Sequence, residues 1–274
     1  MHLLIVIKEC NEGIKDIMSH KKDEIDEIIQ AYDKLVLGIE TTALHTEKRA
    51  YGGIIRAGKG KLVESIASHL VSLAWQKLGG EGYRLRIPER QRRINIPIRK
   101  EYVESLTNED VKNFIKKNID DYYYAQGTDI RVLVEGKLVM IIECKSYTEN
   151  AMMKRILIDF SLLKRVYPNI VCVLIQLESQ LGGDFSDLKQ LYGEVTYGSK
   201  STHTLLSHFE VDLMIITLLK GERKVQEPIH KKEFFKPLTK ESLNNAIDRI
   251  SELLKGYVVK KEKDRLNEFF GQIG

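Results

Sequence analysis

Three residues in the middle of the chain have the types and spacing to do chemistry. Residues 127–147 read Gly-Thr-Asp129-Ile-Arg-Val-Leu-Val-Glu-Gly-Lys-Leu-Val-Met-Ile-Ile-Glu143-Cys-Lys145-Ser-Tyr. The alternating segment from Asp129 to Val134, the turn at Glu135-Gly136-Lys137 and the apolar run from Leu138 to Cys144 predict a β-hairpin. Such a hairpin returns Glu143 and Lys145 to the neighbourhood of Asp129. Glu143 and Lys145 are two apart, so their side chains share one face of the strand. The strand leading to them is apolar on both faces and must be buried on both. A carboxylate and an ammonium at the end of such a strand need compensation, because burying an unpaired charge is expensive. Two carboxylates suit a hard cation such as Mg²⁺, which keeps open positions for water and phosphate oxygens. A lysine beside them can hold a phosphate oxygen or assist the attacking water, which is the equipment of metal-assisted phosphodiester hydrolysis. E-x-K alone is common, and taken alone a plain Glu–Lys–Asp salt-bridge cluster accounts for it better. What favours catalysis is the whole arrangement: the acid, the hairpin, the apolar run ending in E-x-K, and a helix immediately after.

The elements that must position these residues form a mixed α/β pattern. Apolar positions from Ile14 to Val36 recur at helical spacing. Residues 51–61, rich in glycine and basic side chains, are expected to be a loop or hinge. A helix follows to Leu78, closed by Gly79-Gly80. Strand-like pieces come at Tyr83–Ile87 and Ile94–Ile98, then a short helix over Asn108–Lys117. After the hairpin the pattern predicts a helix from Glu149 to Tyr167, buried strands at Ile170–Leu177 and Val211–Leu218, and a helix from Thr239 to about Leu254. This is the order of a mixed central β-sheet flanked by helices. A helical N-terminal region (residues 1–55) precedes a domain (56–274) that carries these residues, with a C-terminal helix as a further addition.

This arrangement resembles the PD-(D/E)XK nuclease superfamily over roughly residues 60–178, with Thr128 where the family usually has proline. The resemblance implies a restriction-endonuclease-like core, Asp129 and Glu143 as ligands of Mg²⁺, and Lys145 as the catalytic lysine. By position on the first core helix it adds Glu64 to the catalytic set; a solvent-facing helical glutamate is the plain alternative. Within the superfamily the chain is most similar to type II restriction endonucleases, and more loosely to the BsaWI-like subgroup that cuts around a CCGG core. That subgroup carries an R-(D/E)-R element after the lysine, whereas here the place reads Ser-Tyr-Thr-Glu149-Asn150. The resemblance implies a homodimer on double-stranded DNA, since cutting both strands of a symmetric site calls for two-fold related active sites. A repair or junction-resolving nuclease of the same fold, and a catalytically inert DNA-binding module, are the alternatives.

Composition agrees with a globular DNA-binding protein without singling it out. The chain has 274 residues, 43% hydrophobic and 30% charged, with a formal net charge of +4. Six arginines and one lysine fall within residues 84–100, and Arg84, Arg86, Arg90, Arg92 and Arg93 are the expected DNA contacts. Asn150, Lys154 and Arg155, at the start of the helix after the E-x-K strand, join them. A solvated basic face explains the arginine run as well. No segment has the length and apolarity of a membrane span. The widely spaced Cys10, Cys144 and Cys172 suggest reduced thiols in a cytoplasmic protein. Gly53–Gly60 misses the phosphate-binding loop pattern because Gly60 stands where a metal-binding hydroxyl belongs. His203 and His208, five apart, do not share a face and are expected in a polar loop. Tyr122–Tyr124 is expected to be a half-buried aromatic cluster, and Gln176 a partner of the catalytic residues from the next strand.

Overall fold

The computed structural model describes residues 24–44, 48–89, 93–183, 185 and 198–271. Helices α1 (Glu24–Leu44) and α2 (Lys48–Lys77) come first. Strands β1 (Leu85–Arg86) and β2 (Arg93–Pro97) follow, then short helices α3 (Lys100–Ser105) and α4 (Glu109–Lys117). The centre is β3 (Tyr123–Gly127), β4 (Ile130–Val134) and β5 (Lys137–Glu149). Helix α5 (Asn150–Val166), β6 (Val171–Gln180), α6 (Lys200–Ser207), β7 (Leu213–Thr217) and α7 (Lys240–Gly271) complete the order.

The main sheet has the order β1-β4-β5-β6-β7, while β2 and β3 pair separately. The β4–β5 pair is antiparallel, and β6 and β7 are added parallel to β5. The hairpin turn forms because Glu135 and Gly136 both take positive φ, 52° and 78°, the backbone that matches strand twist in a two-residue turn. A register shift between Val132 and Leu133 sends both Val139 and Met140 to one side. Beyond it the alternation is regular: Ile142 and Cys144 enter one core, Ile141 the other.

The first core is covered by α1, α2 and α7, through Tyr32, Val36, Leu70, Trp75, Leu243 and Ile250. The second is covered by α5, through Met153, Leu157 and Phe160, with Ile94 of β2. Burying side chains of this size is worth about 1.5–3 kcal/mol each, so the sheet is held from both faces. The N- and C-terminal helices thus share one layer of the central core, and α2 runs unbroken across residue 55.

Three expectations change. Residues 51–61 are helical, inside α2, instead of a hinge. The four glycines there cost a helix about 1 kcal/mol each, and the burial of Leu62, Val63 and Ile66 in the following turns, about 1.5–3 kcal/mol per side chain, offsets it. Where α2 does end, Gly79 takes φ +71° and Gly80 lies under Trp75; a Cβ at Gly80 would come within 2.3 Å of the indole ring. Residues 200–207 form a helix capped by Ser199, whose Oγ accepts from Thr202 N at 3.1 Å, so His203 is helical. Finally, Tyr123 and Tyr124 begin strand β3, point to opposite faces and are 51% and 59% exposed, because neither face of the separate β2–β3 pair is covered at that end. The expected N-terminal helix before residue 24 lies outside the described residues.

Candidate active site

Asp129 stands with Thr128 in the two-residue gap where the chain passes from β3 into β4. Its Oδ2 accepts a hydrogen bond from the backbone N–H of Cys144 at 2.8 Å, which ties the carboxylate across to β5. Lys145 Nζ donates to the same Oδ2 at 3.2 Å, to Glu143 Oε2 at 2.7 Å and to the carbonyl of Cys144 at 3.2 Å. One ammonium therefore holds two carboxylates from adjacent strands. The alternation of β4 and β5 puts all three side chains on the α5 side of the sheet, opposite Cys144. They are partly open to solvent, with side-chain exposures of 27% for Asp129, 12% for Glu143 and 31% for Lys145.

The electrostatics follow from that depth. Burial pushes the Glu143 carboxyl up to about 7, with Asp129 adding to the effect and Lys145 opposing it. Burial works against the Lys145 ammonium, but the two carboxylates outweigh it and its pKa is raised. The Cys144 thiol is pushed well up, first by burial and then by the surrounding carboxylates, so it stays a neutral thiol at physiological pH. Asp159 of α5 also faces this region. Burial raises its carboxyl, against Arg155, a hydrogen bond with Gln126 and the Lys145 charge. Neither Asp159 nor Gln126 stood out in the sequence, where each is one polar residue among many.

The other expected site residues are placed less uniformly. Glu64 sits on α2, on the far side of β5 from the triad, paired with Lys61 at 2.9 Å, and its charge reaches Cys144. Gln176 is register partner of Lys145 and fully buried; its Nε2 donates to Thr217 Oγ1 at 3.0 Å while its Oε1 has no partner. Arg84 is 7% exposed. Its guanidinium donates to Glu135 Oε1 and the Tyr257 carbonyl and lies 5.7 Å from the Trp75 ring, which makes it a packing residue in this structure. Arg86 and Arg93 are exposed, and Arg90 and Arg92 lie outside the described residues. Asn150 is tied to α6 through Ser201 and Thr202, whereas Lys154 and Arg155 are exposed at the start of α5.

A chain-length comparison decides what this site belongs to. The sequence is 45% identical over 239 residues to the type II restriction enzyme DdeI of Desulfomicrobium norvegicum, spanning 84% of this chain and 96% of the relative. The chain belongs to the type II restriction enzymes. It is accordingly a site-specific deoxyribonuclease, and DNA is its substrate. No family model matches the sequence. Among solved structures, the native BbvCI A2B2 tetramer aligns over 90% of this chain and 94% of that one, with 12% identity and a TM-score of 0.33, a likeness too weak to argue from. The α/β sheet of this restriction enzyme rests on its own strands and helices, and no helix among the described residues is long and apolar enough to cross a membrane.

Proposed function

We propose that this restriction enzyme hydrolyses DNA with Mg²⁺ bound by Asp129 and Glu143 and with Lys145 at the attacking water, in the manner of the PD-(D/E)XK nucleases. It acts in the cytoplasm as a homodimer on a short palindromic site. The observation that carries this reading is the convergence of both carboxylates on the single ammonium of Lys145. The donor set fits the ion. Among the described residues no group of three or more His, Cys, Asp or Glu could hold a metal. Mg²⁺ does not need one, because it is commonly bound by one or two carboxylates, with waters and phosphate oxygens completing its shell. Bound there, the cation supplies positive charge to the phosphate and makes a water more acidic.

The chain's own residues do the rest. The Cys144 N–H fixes the Asp129 carboxylate, so one ligand is positioned before substrate arrives. With Asp129 and Glu143 engaged by a cation, Lys145 would have Nζ–H groups free to turn toward a non-bridging phosphate oxygen and the attacking water. The water oxygen bonds to phosphorus as it gives up a proton to solvent, the phosphorus–oxygen ester bond breaks, and the leaving oxygen takes up a proton. A CCGG-centred target follows only from the looser resemblance. Digestion of a plasmid of known sequence with Mg²⁺, followed by sequencing of the fragment ends, tests the reading. Discrete fragments with one shared end sequence are expected; a smear or structure-selective nicking would favour a repair-type nuclease.

Two further outcomes follow. A proton on Glu143 competes with a cation, so metal binding should release about one proton at pH 6 and almost none at pH 8.5. Calorimetric titration with Ca²⁺ in buffers of different ionisation enthalpy measures this, and equal release at both pH values would count against Glu143 as a ligand. Glu64→Ala is expected to lower the cleavage rate by about 10–100-fold while DNA affinity holds. Unchanged kinetics at low Mg²⁺ would leave Glu64 as a surface partner of Lys61.

A further inference from the structure

A cavity of about 750 Å³ lies between β2 and the β4–β5 hairpin, lined by Arg93, Asn95, Arg131, Lys137 and Tyr167 among others. Three of its lining residues are cations and none is an acid. The chain as a whole is nearly balanced, with 43 Lys and Arg against 39 Asp and Glu, so a one-sign cavity is not a consequence of composition. Several surface cations elsewhere pair with carboxylates, as Lys61 does with Glu64, Lys112 with Glu109 and Lys116 with Glu104. Arg93, Arg131 and Lys137 form no ion pair with any described residue. The carboxylate nearest in sequence to Lys137, that of Glu135, is committed to Arg84 at 3.0 Å. Three unneutralised cations around one concavity repel one another and attract an anion.

The position of the cavity says which anion. Arg131 is two residues beyond Asp129 on the same strand face, about 7 Å away at strand rise. Arg93 pairs in register with Gly127, two residues before Asp129. Lys137 pairs with Val134, about 10 Å further along β4 from Arg131. The cations therefore start on either side of the candidate metal ligand and run away from it. A DNA strand carries one phosphate per 3.4 Å of helix axis, so this span covers about three phosphates.

We propose that the cavity is a phosphodiester-binding track, in which Arg93, Arg131 and Lys137 hold the backbone of the cleaved strand beyond the scissile bond. Asn95 and Tyr167 offer neutral donors along the same wall. Such contacts position the duplex and carry no sequence information. Arg131 and Lys137 are assigned here from the geometry; they fall outside the arginine run, and only the cavity unites them with Arg93. The proposal rests on Asp129 marking the catalytic centre, so the test separates the two.

Wild type, Arg131→Gln, Lys137→Ala and the double variant are titrated with a fluorescent cognate duplex in Ca²⁺ over a range of salt. Each substitution should make log affinity less steep against log salt by about 0.9, and the double variant by about 1.8. The loss should be similar on cognate and random duplexes. Single-turnover cleavage at saturating enzyme, read on the same variants, separates weakened binding from slowed chemistry. An unchanged slope in the double variant would overturn the track, even if wild type cleaves normally. So would loss of affinity for inorganic phosphate or a mononucleotide with the DNA slope intact, which would make the cavity a free-anion site. If Arg131→Gln does not fold by its thermal melt, Lys137→Ala and Lys137→Glu decide the matter, since Lys137 is exposed. An Asp129→Ala protein that still cleaves at a near-normal rate would refute the reading of Asp129 itself, whatever the salt slopes show.

Discussion

Lys145→Ala should cut the single-turnover cleavage rate by about a thousandfold or more while the enzyme still binds its cognate duplex. Removal of one preorganised charge-stabilising donor from a partly dry site costs about 10²–10³ in rate. Lys145 does more than that, because its ammonium also holds Asp129 and Glu143 together at 3.2 and 2.7 Å. Without it two carboxylates face each other unscreened. Metal-free protein should then bind Ca²⁺ as tightly as wild type or more tightly, even though cleavage is lost. Asp129→Ala should lose cleavage to a similar extent and weaken metal binding as well, since the Cys144 N–H then has no carboxylate to fix. The two variants separate ligand from helper. Quench-flow rates, calorimetric metal titration and anisotropy with DNA measure the three quantities. A Lys145→Ala protein with intact fold and near-normal rate would remove Lys145 from the mechanism.

Glu143→Gln should abolish cleavage yet stabilise the metal-free protein at pH 8. The folded-state pKa of Glu143 is raised to about 7, so between about pH 4.5 and 7 the folded chain binds more protons at this site than the unfolded chain. Stability contributed here is present at low pH and is lost as pH rises through the folded pKa. At pH 8 the ionised form carries the whole penalty, on the order of 3 kcal/mol for a shift of this size. The side chain is only 12% exposed, which leaves little solvent screening. Glutamine keeps the shape and cannot ionise, so its gain should be largest at pH 8 and fade toward pH 5. Denaturant unfolding at the two pH values in EDTA reads it. A gain that does not vary with pH would mean that packing, and not charge, is responsible. Saturating divalent cation should reverse the order, stabilising wild type more than the variant.

The hairpin, and the meeting of Asp129, Glu143 and Lys145 on it, were legible in the sequence because their determinants are local. Glu135-Gly136 sets the turn, the alternation of β4 and the continuous apolar run of β5 set burial, and the spacing of Glu143 and Lys145 sets a shared face. The helix at 150–166 and the buried strands β6 and β7 carried their own periodicity in the same way. What the tertiary structure decided depends on partners far away in the chain. Arg84 and Arg86 look alike in the arginine run, but Trp75, Glu135 and the Tyr257 carbonyl bury one of them and nothing covers the other. Residues 51–61 read as a hinge from their glycines, yet helix α2 passes through them because its following turns are packed in the core. Glu64 had a helical position but no face until α2 docked against the Cys144 side of β5. Arg131 and Lys137 were two cations in a hairpin. Only the approach of β2, pairing with β3 and packing on α5, turned them with Arg93 into the wall of one cavity. Local residues determine which elements form and which side chains share a strand face. Which buried face meets which helix, and which charges are left without partners, is settled by contacts between segments that the sequence does not place side by side.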